Sequence, residues 1–189
     1  QKIIEQAPAP WLSESERHDL CAMAVRIGKE CGYAGAGTVE FLVDPETRAV
    51  YFIEVNPRIQ VEHTVTEEIT GLDIVRAQIR IAEGAALGSE ASEVPGQSSI
   101  RMTGFAIQCR VTAESPAAGF APSHGRITHA ALPAGPGVRV DGASVWPGAV
   151  VSPSFDSLLA KIIVRGADRN EAVERMRRAL HETRIGGIE

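Results

Sequence analysis

Residues 37–56 constrain this chain more than any other stretch, because they alternate in the strand period around a turn yet carry acids at alternating positions. Gly37-Thr38-Val39-Glu40-Phe41-Leu42-Val43 reads as one strand, Asp44-Pro45-Glu46-Thr47-Arg48 carries turn chemistry, and extended structure resumes at Val50. Antiparallel pairing about a centre near Thr47 places Glu40 opposite Glu54. Side chains alternate between faces, so Phe52, Glu54 and Asn56 are expected on one face together with Leu42, and Tyr51, Ile53 and Val55 on the other. Directly opposed residues lie roughly 5 Å apart, close enough for two carboxylates to repel each other.

A hard divalent cation such as magnesium removes that repulsion. It takes carboxylate and amide oxygens, often two protein ligands beside the phosphates of a nucleotide, and Glu40, Glu54 and Asn56 supply such a set. The alternative is a solvent-facing hairpin with scattered acids, or one acid kept protonated. The residues that follow Pro57 favour the cation: Arg58, Gln60, Glu62 and His63 are too polar for a core strand and unusual for a loop chosen only for solubility.

The run Glu54-Val55-Asn56-Pro57-Arg58-Ile59-Gln60-Val61-Glu62-His63, followed by Thr66-Glu67-Glu68-Ile69-Thr70-Gly71, resembles the active-site segment of the biotin carboxylase component of biotin-dependent carboxylases, an ATP-grasp family. A ten-residue polar match is far more specific than a lone glycine motif. The likeness extends to Gln1-Lys2 and Glu5-Gln6-Ala7-Pro8-Ala9-Pro10, and to Gly35-Ala36-Gly37 leading into the first strand. Further on it covers Gly104 to Val111, Gly135-Pro136-Gly137-Val138-Arg139 and Phe155-Asp156-Ser157-Leu158-Leu159-Ala160-Lys161. Ser115 and Ser154-Phe155 depart from it, since the family often has an aspartate and two tyrosines there.

The resemblance implies an α+β fold. A partial ATP-grasp domain, an antiparallel sheet with helices, would occupy residues 1–84, and 85–100 would be a linker. Residues 101–189 would form a truncated biotin carboxylase C-terminal domain, a small mainly antiparallel sheet with a closing helix. It also implies the chemistry: ATP-dependent carboxylation of biotin with bicarbonate through carboxyphosphate. By this likeness Glu40, Glu54 and Asn56 hold magnesium or manganese, while Lys2, Leu42, Glu40 and Glu54 contact ATP. Lys2, Arg58, Gln60, the backbone of Val61 and Arg139 bind bicarbonate or biotin, and Glu62, Arg58 and Arg139 are catalytic.

Each role has a physical reason. The guanidinium of Arg58 offers a planar fork of donors that suits a planar oxyanion, whereas a lysine is a point charge. Glu62 must be ionised to accept a proton, which nearby cations favour; taken alone it also reads as an acid at a helix start. Arg139 after its Gly-Pro-Gly turn would stabilise charge appearing on biotin, or is a surface arginine. His63 either aids the site or turns inward to cap local structure.

The implied partners are a biotin carboxyl carrier domain, a carboxyltransferase domain or subunit, and further copies of the parent enzyme. The final acceptor, whether pyruvate, an acyl-CoA or urea, is chosen by another domain. Without the upstream nucleotide lid, these residues alone are expected to turn over little. Two other readings stay open: a different ATP-grasp ligase, carboxylate-amine or carboxylate-thiol, and a non-catalytic dimerisation or structural module. A net charge of −5 without a basic cluster argues against nucleic acid, and the absence of a long apolar run or signal layout argues for a cytoplasmic chain away from membranes. The three cysteines, Cys21, Cys31 and Cys109, have no metal spacing and are expected as small buried apolar residues.

Local signals complete the expectation. Ser13 with Glu16 forms a capping box, and Leu20, Met23, Ala24 and Ile27 recur at helical spacing as far as Gly32. Asp73 starts a helix with Val75, Ile79 and Ala82 on one face and Gly84 as its stop. Extended runs are expected at 105–112, 125–130, 137–141 and 159–164. A last helix begins at Asp168-Glu171, its inward stripe being Ala172, Val173, Met176, Ala179, Leu180 and Thr183.

Overall fold

The computed structural model describes residues 2–142 and 145–188, so Gln1 and Glu189, the outermost positions of the expected domains, lie outside the described residues. Two compact units emerge: Ala9–Met102, and residues 1–8 together with Thr103–Glu189. The fold is mixed, with four α-helices and antiparallel sheets among the described residues.

Strand β1 (Ile4–Ala7) belongs to the later unit, where it pairs antiparallel with β4 (Phe105–Thr112). Glu5 fixes this pairing. Its carboxylate accepts from Arg110 Nε at 2.6 Å and from Gln108 Nε2 at 2.8 Å.

In the Ala9–Met102 unit, α1 (Glu14–Glu30) starts at the expected capping box: Ser13 Oγ accepts from the Glu16 N–H, and the Glu16 carboxylate accepts from the Ser13 N–H. Next come β2 (Thr38–Val43) and β3 (Val50–Asn56), then α2 (His63–Thr70) and α3 (Ile74–Ala82). Asp73 caps α3 by accepting from the Arg76 N–H, and Glu67 of α2 accepts from the Ile74 N–H at 2.8 Å, tying the two helices together. The helix face differs from expectation: Val75, Ile79 and Ala82 are exposed, and Ala77 is the buried residue. A stripe three and four residues apart is defined only up to which side finds a partner. Residues 85–100 contain two single 3-10 turns, Glu90–Ser92 and Gln97–Ser99, the first closed by the buried Ser92.

In the other unit the sheet runs β1, β4, β11 (Leu158–Gly166), β9 (Val138–Gly142) in spatial order, all antiparallel. One face, with Phe105, Ile107, Cys109, Ile162 and Val164, packs on Ala172, Met176 and Ala179 of α4 (Arg169–Glu182). Leu180 lies outside that contact and is exposed, unlike the expected stripe, because it falls past the edge of the face defined by Ala172, Met176 and Ala179. The remaining strands are short: β5 (Glu114–Ser115) with β6 (Ala121–Pro122), β7 (Gly125–Arg126) with β10 (Val150–Val151), and β8 (His129–Ala131) with β12 (Arg184–Gly186). The single run expected at 125–130 is thus two strands with different partners, and β12 follows the helix expected to end the fold. These short pairs enclose a second core of Ala113, Ile127, Val145, Ala149, Val151, Leu159 and Ala160.

Cysteine placement also departs from expectation. Cys109 is buried, but Cys21 and Cys31 are exposed at α1, a helix with no buried residue. Among the described residues no helix is long and apolar enough to cross a membrane.

Candidate active site

The hairpin pairs Thr38 with Asn56, Val39 with Val55 and Glu40 with Glu54, as the alternation requires. Beyond Glu40 a β-bulge intervenes, so that Phe41 opposes Phe52 and Leu42 opposes Tyr51. The expected shared face of Leu42 with Phe52 is therefore corrected: the extra residue, Ile53, reverses the alternation on β3, and Phe52 packs edge-on to Phe41 with ring centres 6.2 Å apart. Period-2 reasoning has no means of placing such an insertion.

The opposed acids share one donor. Asn56 Nδ2 donates to Glu54 Oε1 at 2.8 Å and to Glu40 Oε1 at 3.2 Å. Gln60 Nε2 adds a third contact to Glu40 Oε1, at 2.9 Å. Two amides thus place partial positive charge where the two carboxylates converge. The chemistry of the donor set fits a hard cation, since two carboxylates and an amide that offers its oxygen after half a turn are such an ion's ligands. Among the described residues no cluster of three or more His, Cys, Asp or Glu forms a metal site, so the set reaches three only through Asn56.

The loop after the hairpin is sharply folded. The Arg58 N–H donates to the Asn56 carbonyl at 2.8 Å, and Arg58 Nη1 donates to the Ile59 carbonyl at 3.1 Å. Gln60 is only 9% exposed, and its Oε1 is buried with no donor partner, an arrangement that costs free energy unless a ligand supplies one. Val61 is half-buried; Glu62 occupies the N-cap of α2 without making a side-chain cap. His63 turns inward: its Nδ1 lies 2.8 Å from the Gln60 carbonyl and so carries the proton, and its Nε2 lies 3.9 Å from Glu67 Oε1. Leu42 is 60% exposed, open to a flat ligand.

Lys2 and Arg139 belong to the other unit. Lys2 is exposed, with a positive φ of 49°. Arg139 on β9 grips Asp141 with a fork, Nε to Oδ1 at 2.8 Å and Nη2 to Oδ2 at 2.9 Å, and Lys161 Nζ stands 3.6 Å from the same carboxylate. Burial pushes the Asp141 carboxyl up, but hydrogen bonding and charge from Arg139, with Lys161 behind, outweigh it and hold the group below its ordinary value. Sequence reasoning missed Asp141. The available signal was its spacing, two residues along a strand from Arg139, which puts both on one face.

The family model described as carbamoyl-phosphate synthase L chain, ATP binding domain, matches residues 1–90, and that of the biotin carboxylase C-terminal domain matches residues 108–189. The chain is therefore part of an ATP-grasp domain joined to a second, mainly antiparallel one. Pyruvate carboxylase 1 of Caenorhabditis elegans is 52% identical over 188 residues, covering 100% of this chain and 16% of that protein. Biotin carboxylase 1 of Bacillus subtilis is 45% identical over 189 residues, 100% of this chain and 40% of that protein. Among solved structures, Rhizobium etli pyruvate carboxylase superposes with a TM-score of 0.95 at 52% identity, over 100% of this chain and 18% of that one. The biotin carboxylase domain of Hydrogenobacter thermophilus 2-oxoglutarate carboxylase, solved with MgADP, ADP and bicarbonate, gives 0.92 at 46%, over 100% of this chain and 40% of that one. The chain belongs to the biotin carboxylase family. It spans between 16% and 40% of the relatives named here.

Proposed function

We propose that this chain supplies the metal-binding and bicarbonate-binding segment, and the C-terminal domain, of an enzyme that carboxylates biotin at the expense of ATP. The observation that carries the reading is the convergence of Glu40 and Glu54 on the amide of Asn56, with Gln60 of the following loop joined to the same carboxylate. The solved Hydrogenobacter relative, in complex with MgADP and bicarbonate, supports the same ligand classes.

In this reading Glu40, Glu54 and Asn56 hold magnesium or manganese, which when bound offsets charge on the ATP phosphates. Leu42 lies against the adenine, and Lys2 meets phosphate and bicarbonate. Arg58, Gln60 and the Val61 backbone cradle bicarbonate. Glu62 takes the bicarbonate proton, and a bicarbonate oxygen attacks the γ-phosphorus of ATP as the bond to ADP breaks. Carboxyphosphate then yields carbon dioxide and phosphate, phosphate removes the biotin N–H proton, Arg139 stabilises the oxygen of the resulting anion, and its nitrogen attacks the carbon dioxide to give carboxybiotin. Residues 1–84 act as the end of an ATP-grasp domain and 101–189 as the C-terminal domain. A biotin carrier domain, a carboxyltransferase and further copies of the enzyme are the partners.

The test is bicarbonate-dependent ATP cleavage stimulated by free biotin, in the complete protein that contains this chain. Glu54→Ala is expected to abolish it; undiminished cleavage in that variant overturns the reading.

A further inference from the structure

The polar face of the four-stranded sheet holds a graded row of charge that the proposed chemistry uses at only one point. On β9, Arg139 and Asp141 share this face; Asp141 is paired across to Lys161 on β11, and Lys161 across to Arg110 on β4. Lys161 is buried, and Arg139 and Asp141 are about one-third exposed. Both nitrogens of one guanidinium edge, Nε and Nη2, are engaged by the two oxygens of Asp141.

We propose that Asp141, backed by Lys161, is a positioning residue that fixes the plane of the Arg139 guanidinium and dictates which of its edges meets substrate. A free arginine side chain rotates about four bonds, whereas a two-point grip by a carboxylate locks both plane and direction. With the Nε–Nη2 edge committed, Arg139 cannot fork an incoming carboxylate or phosphate on that edge. A substrate oxygen, such as the ureido oxygen of biotin, must then meet the guanidinium away from that edge, in a direction set by the fixed plane. Lys161, 3.6 Å from the same carboxylate on the neighbouring strand, adds its charge to that of Arg139 and anchors Asp141. The inference rests on Arg139 acting on the biotin oxygen.

The experiment compares Asp141→Asn, Asp141→Glu, Arg139→Ala and the Asp141→Asn/Arg139→Ala double variant in the complete protein, measuring kcat and KM for biotin carboxylation. Asp141→Asn turns an amide N–H toward the guanidinium, and is expected to lower kcat by about tenfold to a hundredfold while KM for ATP stays within about twofold. Asp141→Glu is expected to recover a large part of that loss. In the Arg139→Ala background, Asp141→Asn should cost less than about twofold more, because the group it positions is gone. Multiplicative losses in the double variant, a parallel rise in KM for ATP, or no recovery with glutamate overturns the positioning role. Wild-type carboxylation by Arg139→Ala instead overturns the assignment of Arg139 itself.

Discussion

Glu40 and Glu54 stand directly opposite one another across the hairpin, and both accept from the single Nδ2 of Asn56. Like charges so placed destabilise a strand pair, so the fold carries an unfavourable contact that a cation would relieve. Glu54→Gln is expected to leave the thermal midpoint of the metal-free protein unchanged or raised, while weakening manganese-nucleotide binding at least about tenfold. Calorimetric titration with manganese and ATP, beside a thermal melt, checks both; a lowered midpoint with unchanged affinity would contradict the assignment.

Arg48, at the end of the hairpin turn, clamps Glu16 with Nε at 2.8 Å and Nη2 at 2.6 Å, and also reaches the Trp11 carbonyl. The hydrogen bond from Arg48, then those from Ser13, hold the Glu16 carboxyl down to about 2 from an ordinary 4.5. The ionised form is the one the fold prefers. Its contribution to stability is therefore complete above pH 4.5 and disappears as pH falls through about 2. A side-chain carboxyl titration followed by NMR should show that low midpoint, and Arg48→Ala should move it back toward the ordinary value.

The three thiols should separate by reactivity. Burial first, and the charge of Glu5 second, push Cys109 up to about 11, whereas Cys21 and Cys31 are exposed. At pH 8 a thiol reagent is expected to label two sites in the native chain and the third only on denaturation, as counted by mass spectrometry.

Glu5 is nearly enclosed between Arg110 and Gln108. Removing one member of a partly buried ion pair leaves its partner uncompensated, at a cost of about 3 kcal/mol. Glu5→Ala should lower the denaturant midpoint accordingly, and Arg110→Met in that background should restore part of the loss.

The sequence made the acid pair legible because period-2 alternation and a five-residue turn are local facts, and the capping residues Ser13, Asp73 and Asp168 were readable for the same reason. What escaped was decided by partners distant in sequence. The bulge at Ile53 cannot be read from composition. Val75 and Ile79 form a sound apolar stripe that nevertheless points outward, and Cys21 on α1 and Cys31 at its C-cap are exposed. The roles proposed for Arg58 and Glu62 come from the likeness to a family, since neither side chain alone distinguishes a catalytic group from a surface charge. Asp141 shows the reverse: its spacing from Arg139 was visible, but only the structure shows the two-point fork between them.

Glu5 and Arg110 are separated by 105 residues of chain. During translation β1 emerges before β4, and its partner follows only after the whole intervening unit has been made, about 5 to 20 s later at ordinary rates of synthesis. A polypeptide begun at Thr103 would be born with a bare sheet margin, inviting association with other molecules. Residues 1–8 thus act as a clasp closed late, and excision experiments that ignore them would misjudge how well residues 103–189 stand alone.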